Sequence, residues 1–198
     1  MVHDPCLVGR THWSDPLSSA FLAVTLASLS FEKNVAIVCV GTDRSTGDSL
    51  GPFIGSSLIR RQKQGLLPAN ISIHGTLNDP VHALNLAEIA RKLSLTRSRS
   101  TLLAIDACLG RVKNIGYISV KKGPLRPGTG VNKKLPVIGD YHIIGVVNVA
   151  GFMEHVVLQN TRLSLVIQMA EVIAEALVLT FGSVKPGSEA ALTASHFI

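Results

Sequence analysis

NVAIVCVGTDRSTGDSLGP, residues Asn34–Pro52, decides the fold of this chain. Asn34–Val40 is a continuous apolar, largely β-branched run ending at Gly41, the pattern of a strand buried on both faces. Pro52 suits the first turn of a helix, because its missing N–H would have no partner there, and Gly65 suits the end of one. A helix over Pro52–Lys63 is therefore predicted. Between strand and helix lies the loop Gly41–Gly51, in the position where open α/β sheets collect ligands.

Working outward, Ile71–His74, Thr101–Ile105, Gly116–Val120 and His142–Val149 read as further strands. Pro80–Leu93 reads as a helix with Asp79 as its cap. Near the C-terminus, polar residues at Ser164, Gln168, Glu171 and Glu175 mark one wet stripe on a helix otherwise buried through Leu163, Val166, Ile167, Ala170, Ile173, Ala174 and Leu177. Strands alternating with helices predict a three-layer α/β/α domain with a largely parallel mixed sheet. One domain over 1–198 is expected, with 1–33 as an N-terminal helical extension and 183–198 as a frayed tail.

The 198 residues are 46% hydrophobic and 16% charged, which excludes a disordered chain and supports a large core. Aromatics at 5% are too few for a base-stacking strand binder, so nucleic acid is not an expected partner. Cys6, Cys39 and Cys108 lie far apart and build neither a zinc framework nor a full disulfide set, as suits a reducing cytoplasm. Ala20–Leu29 has a signal-like apolar core, but Asp4 and Asp15 precede it with Arg10 as the only Lys or Arg. Asp15-Pro16 reads instead as a helix start. The long apolar stretch Val156–Phe181 is interrupted by Arg162, Gln168, Glu171 and Glu175, so no membrane span is expected.

Two acids fall where ligands should collect. Asp48 lies in the loop before the helix at Pro52, where free backbone N–H groups favour an ionised carboxylate. Asp106 follows the apolar run Leu102–Ile105, where desolvation would raise its pKa. Two carboxyls with environments pulling apart form an acid/base pair. Thr42, Asp43 and Ser45 are loop residues that could orient the pair or contact substrate. Other chemistries fit less well. Gly41–Gly51 lacks both the Gly-Lys-Ser/Thr ending of a P-loop and the Gly-x-Gly-x-x-Gly fingerprint. Cys108 reads as a buried structural cysteine, and the seven histidines form no His-x-x-x-His pair. Each acid also has an ordinary reading, Asp48 as an N-cap and Asp106 as a turn residue.

These residues resemble a known family. VCVGTDRSTGDSLGP (Val38–Pro52), HGTLNDPVHALNL (His74–Leu86), AIDACLG (Ala104–Gly110), GPLRPGTGVNKKLPVIGD (Gly123–Asp140) and VNVAGFMEHVVLQNTRLSLV (Val147–Val166) look like the YyaC-type sporulation protein family of endospore-forming bacteria. That family is similar to the spore germination protease and, more distantly, to hydrogenase maturation endopeptidases. The resemblance implies a phosphorylase/hydrolase-like α/β/α fold and a sporulation-associated aspartic-type endopeptidase, with Asp48 and Asp106 matching the two functional aspartates. It implies action in the cytoplasm of the sporulating cell or forespore. The maturation enzymes hold nickel through two carboxylates and a histidine. Here His155 is the nearest candidate for a third ligand and matches no motif securely, so neither metal nor cofactor is expected. The alternatives left open are a catalytically silent binding protein of spore formation and a metal-dependent maturation protease.

Charge adds a partner expectation. Arg91–Lys134 holds eleven Lys/Arg and one acid, Asp106, whereas the rest of the chain is net negative. Within it, Gly123–Asp140 has four glycines and three prolines and follows a strand, so it could overhang a site. Lys133 and Lys134 in this loop are the expected contacts for an acidic protein substrate, acidic spore proteins by resemblance. A solvated basic face is the plainer reading of the same charges. A homo-oligomer is compatible with the sequence.

Overall fold

The computed structural model describes residues 4–95, 100–128, 135–151 and 153–182. The predicted strand at Asn34 forms as β2 (Asn34–Cys39), and its alternation divides the protein into two cores. Val35, Ile37 and Cys39 enter one, whereas Ala36, Val38 and Val40 enter the other. A strand buried on both faces needs a layer on each side, so β2 sits inside the sheet.

Five more strands complete that sheet among the described residues: β1 (Leu7–His12), β3 (Ile71–His74), β4 (Ser100–Gly110), β5 (Tyr117–Lys122) and β6 (Tyr141–Val149). Their order is β1-β5-β6-β4-β2-β3. β3, β2, β4 and β6 run parallel, and β5 lies antiparallel to both β6 and β1. The fold class is thus the expected α/β with a largely parallel mixed sheet.

The helices are α1 (Ser18–Ala27), α2 (Leu50–Lys63), α3 (Leu86–Ser94), α4 (Glu154–Gln159) and α5 (Leu163–Phe181). α1 and α2 both pack on α5, and all three cover the larger core with Leu22, Leu26, Ile54, Leu58, Met169 and Ile173. α3 covers the other face through Leu86, Ile89, Ala90 and Leu93. Burying a Leu, Ile or Met side chain completely contributes about 1.5–3 kcal/mol. By length and composition α5 could cross a membrane, but its buried residues form the centre of this core. Its polar stripe ties neighbours together: Glu171 receives Arg61 at 2.8 Å, and Glu175 accepts from Ser19 at 3.2 Å.

Several boundaries depart from the sequence reading. The N-terminal 33 residues are not only helical, because Leu7–His12 pairs with β5 as an edge strand. α1 starts at Ser18, with Asp15 accepting the Leu17 N–H in the turn before it. The predicted helix Pro80–Leu93 begins only at Leu86. Val81 is instead drawn into a parallel bridge with Val40, and the Asn85 side chain holds the His82 N–H and the Pro80 carbonyl. β4 does not stop at Ile105 but runs to Gly110, because β6 continues to pair with it. Leu163 and Ile167 are half exposed rather than buried, which widens the wet side of α5. Residues 183–198 lie outside the described residues.

Candidate active site

The sheet reverses its winding between β2 and β4. From β2 the chain passes through α2 to β3 on one side, and from β4 onward it builds the other side. A crevice opens at the carboxyl ends of strands that part in this way. β2 stops pairing with β4 at Cys39↔Ile105, so Asp106 is the first β4 residue beyond its neighbour's end. Strand alternation puts it on the same face as Leu102 and Ala104. The N–H of Ala107 donates to Asp106 Oδ1 at 2.9 Å.

Three successive backbone N–H groups at the end of β2 assemble the surroundings. Val40 donates to the Ile105 carbonyl at 2.7 Å, next to Asp106. Gly41 donates to the Val81 carbonyl at 2.8 Å, and Thr42 to the Asp48 carbonyl at 3.1 Å. Gly41 has φ +147°, and a Cβ there would lie 2.0 Å from the Asp48 carbonyl oxygen. Only glycine lets the chain turn back this tightly. Asp48 then sits in the 3-10 turn Gly47–Ser49 that leads into α2.

Both carboxyls open into one cavity of about 730 Å³, a size typical of ligand sites. Leu125, Arg126, Pro127 and Leu135, from the described parts of the glycine-proline stretch, also line it. Burial raises the Asp106 pKa well above the ordinary carboxylate value, and the nearby charge of Asp48 raises it further, against the Ala107 hydrogen bond. Burial also raises Asp48, whereas Ser45 and His155 act to lower it. From sequence alone, the helix N-terminus is expected to favour ionised Asp48. Desolvation outweighs that effect, and the two acids differ in degree rather than in direction.

Of the other expected residues, Thr42 lines the cavity, Asp43 is exposed and does not line it, and Ser45 is buried. The Ser45 hydroxyl has no partner at hydrogen-bond geometry, yet lies close enough to influence the Asp48 carboxyl. Lys133 and Lys134 lie outside the described residues. In the basic window, Lys121 pairs with Asp4 at 2.8 Å and Lys92 with Glu88 at 2.7 Å, so part of this charge is locally balanced. Cys108 shares the cavity, but burial, with Asp106 adding to it, pushes its thiol up to about 12, which keeps it protonated and a poor nucleophile. His155, weighed from the sequence as a third metal ligand, also lines the cavity, and so does His82, which did not stand out there. For His82 the available signal was Asn85, a good N-cap residue, which would have moved the helix start past the histidine.

The resemblance read from the sequence left a metal site of Asp48, Asp106 and His155 open. Among the described residues, no three His, Cys, Asp or Glu side chains are grouped to hold a metal ion. Asp48, Asp106 and His155 therefore do not fit a resident metal.

The raised pKa of Asp106 has a consequence for stability. A carboxyl that binds its proton more tightly when folded stabilises the fold fully below its unfolded pKa of about 3.9, and this contribution is lost as pH rises through the folded value. Asp106→Asn keeps an oxygen for the Ala107 N–H and removes the ionisation. At neutral pH the variant is expected to melt several degrees above wild type, with the difference vanishing near pH 3. Thermal melts from pH 3 to 8 check this, and a variant less stable at pH 7 would contradict it.

Known proteins can be set beside this geometry. The chain is 51% identical over 148 residues to "Uncharacterized protein YyaC" of Bacillus subtilis (strain 168), covering 75% of this chain and 70% of that protein. It is also similar to the crystal structure of the [NiFe] hydrogenase maturation protease HycI from Thermococcus kodakarensis KOD1. There the TM-score is 0.47 and identity 17%, over 75% of this chain and 93% of that one. Residues 11–176 match the family described as "Protein of unknown function (DUF1256)", and the chain belongs to that family.

Proposed function

We propose that this protein is an endopeptidase whose two aspartates divide the work of hydrolysing a peptide bond. The observation that carries this reading is the pair of unequal carboxyls facing one cavity: Asp106 holds its proton the more firmly, by burial and by the charge of Asp48. Asp48 in its ionised form takes a proton from water, whose oxygen adds to the peptide carbonyl carbon. Asp106 gives its proton to the amide nitrogen as the C–N bond breaks. The acid and amine leave, and the proton on Asp48 passes to Asp106 to restore the starting state. Such a division of roles follows when environment separates two carboxyl pKa values.

The motif resemblance supports a role in sporulation, with acidic spore proteins as substrates. Fluorescein-labelled casein, an unfolded acidic protein, is a workable probe. Wild type is expected to cleave it and to generate new amino termini by mass spectrometry, whereas a catalytically silent binding protein would leave it intact. Lys133 and Lys134 are proposed to speed capture of such partners. Lys133→Glu combined with Lys134→Glu should lower the association rate about tenfold at low salt, with nearly unchanged thermal stability. Above about 0.5 M salt, where the screening length is a few ångströms, the difference should disappear. Equal on-rates at low salt would leave these lysines as a solvated face.

A further inference from the structure

The hydrolysis proposed above puts a negative charge on the carbonyl oxygen, while Asp48 is anionic and Asp106 gives its proton to the leaving nitrogen. A fixed hydrogen-bond donor is needed. Four backbone N–H groups beside the carboxyls are already committed, those of Val40, Gly41 and Thr42 to carbonyls and that of Ala107 to Asp106. Among the side chains lining the cavity, Arg126 and His155 are exposed. His82 differs from both in how firmly it is held.

Val81, one residue before it, is buried, bridges to Val40, and accepts the Gly41 N–H. The His82 N–H donates to Asn85 Oδ1 at 2.8 Å, and its carbonyl accepts from Asn85 at 3.1 Å and Leu86 at 2.9 Å. The ring is oriented as well, because the Leu84 N–H reaches His82 Nδ1 at 3.3 Å. A backbone N–H only donates, so Nδ1 accepts, and the proton of the neutral ring resides on Nε2. The short route Asp48–Thr42–Gly41–Val81 ties this histidine to the first aspartate through two backbone hydrogen bonds.

We infer that His82 is a third catalytic residue of this cavity, its Nε2–H donating to the carbonyl oxygen of the bond under attack and stabilising the charge that develops there. The inference rests on the endopeptidase reading, and the test separates the two. His82→Leu removes the donor, whereas His82→Gln places an amide N–H near the Nε2 position. On labelled casein, His82→Leu is expected to lower kcat by about 10²–10³-fold with KM changed less than about threefold. His82→Gln should recover at least about tenfold of that loss, an effect that a merely structural role for the ring would not give. Nitrogen NMR of the wild-type imidazole should show the proton on Nε2. A proton on Nδ1 overturns the inference whatever the activity. Should His82→Leu cleave within about threefold of wild type while Asp106→Asn is inactive, the inference fails and the endopeptidase reading stands. Should both aspartate variants cleave like wild type while His82→Leu is slowed and His82→Gln rescues it, the aspartate mechanism fails and His82 stands.

Discussion

Asp48→Asn and Asp106→Asn are each expected to lower casein cleavage about 10⁴-fold, and the double variant is expected to be no worse than either alone. Residues that act as one unit lose their function together, because each aspartate needs the other to pass a proton around the cycle. Asparagine keeps the shape of each side chain, and at position 106 it keeps an acceptor for the Ala107 N–H, so both proteins should remain folded. Steady-state cleavage and thermal melts on the same samples separate chemistry from stability. Either single variant with near-wild-type cleavage, or two losses that multiply in the double variant, would rule out a cooperating pair.

Gly41→Ala should be the most damaging small substitution near the site. The new methyl would lie 2.0 Å from the Asp48 carbonyl oxygen and 2.8 Å from Pro52 Cδ, at φ +147° where side chains are disfavoured. Relief requires breaking the Thr42–Asp48 hydrogen bond or moving the start of α2. A loss of about 2–4 kcal/mol is expected, or roughly 5–15 °C in Tm, along with most activity. Gly123→Ala provides the comparison, since Gly123 has φ +89° but open space where the Cβ would go. It should cost only about 1 kcal/mol, from backbone strain alone. Equal losses in the two variants would show that close approach at Gly41 does not constrain the loop.

The parts of this protein that could be read from sequence are those whose signal is local. β2 was legible because an apolar run bounded by turn residues leaves few alternatives, and β3 because Ile71 and Ile73 alternate with polar residues between Asn70 and Gly75. Asp106 stood out because charge at the end of such a run is conspicuous, and Asp48 because it lies in the loop between β2 and the helix start at Pro52. β1 was missed because only Gly9 and Thr11 in Leu7–His12 are buried, so its stability comes from pairing with β5 more than 100 residues away. The true length of β4 was hidden for a related reason: a carboxylate looks like a strand end until β6 is known to pair past it. Pro80 imitated a helix start, and only the bridge between Val81 and Val40 shows why the helix waits for Leu86. That bridge delivers His82 to the cavity, so the residue missed at the site and the misplaced helix boundary share one cause.

The three amides at the end of β2 offer a way to watch the site without any substrate. Each hydrogen-bonds a different segment of chain: Val40 reports contact with β4, Gly41 with the stretch through Val81, and Thr42 with the turn holding Asp48. Amide protons exchange with deuterium only when their bonds open, at rates set by the local opening free energy. If the segments open independently, these three neighbours will exchange at unrelated rates. If the cavity forms as one cooperative unit, they will exchange together, although their acceptors lie at positions 48, 81 and 105. A ligand that lifts only the histidine-bearing segment would deprotect Gly41 and leave Val40 and Thr42 protected, so three consecutive peaks would locate the motion.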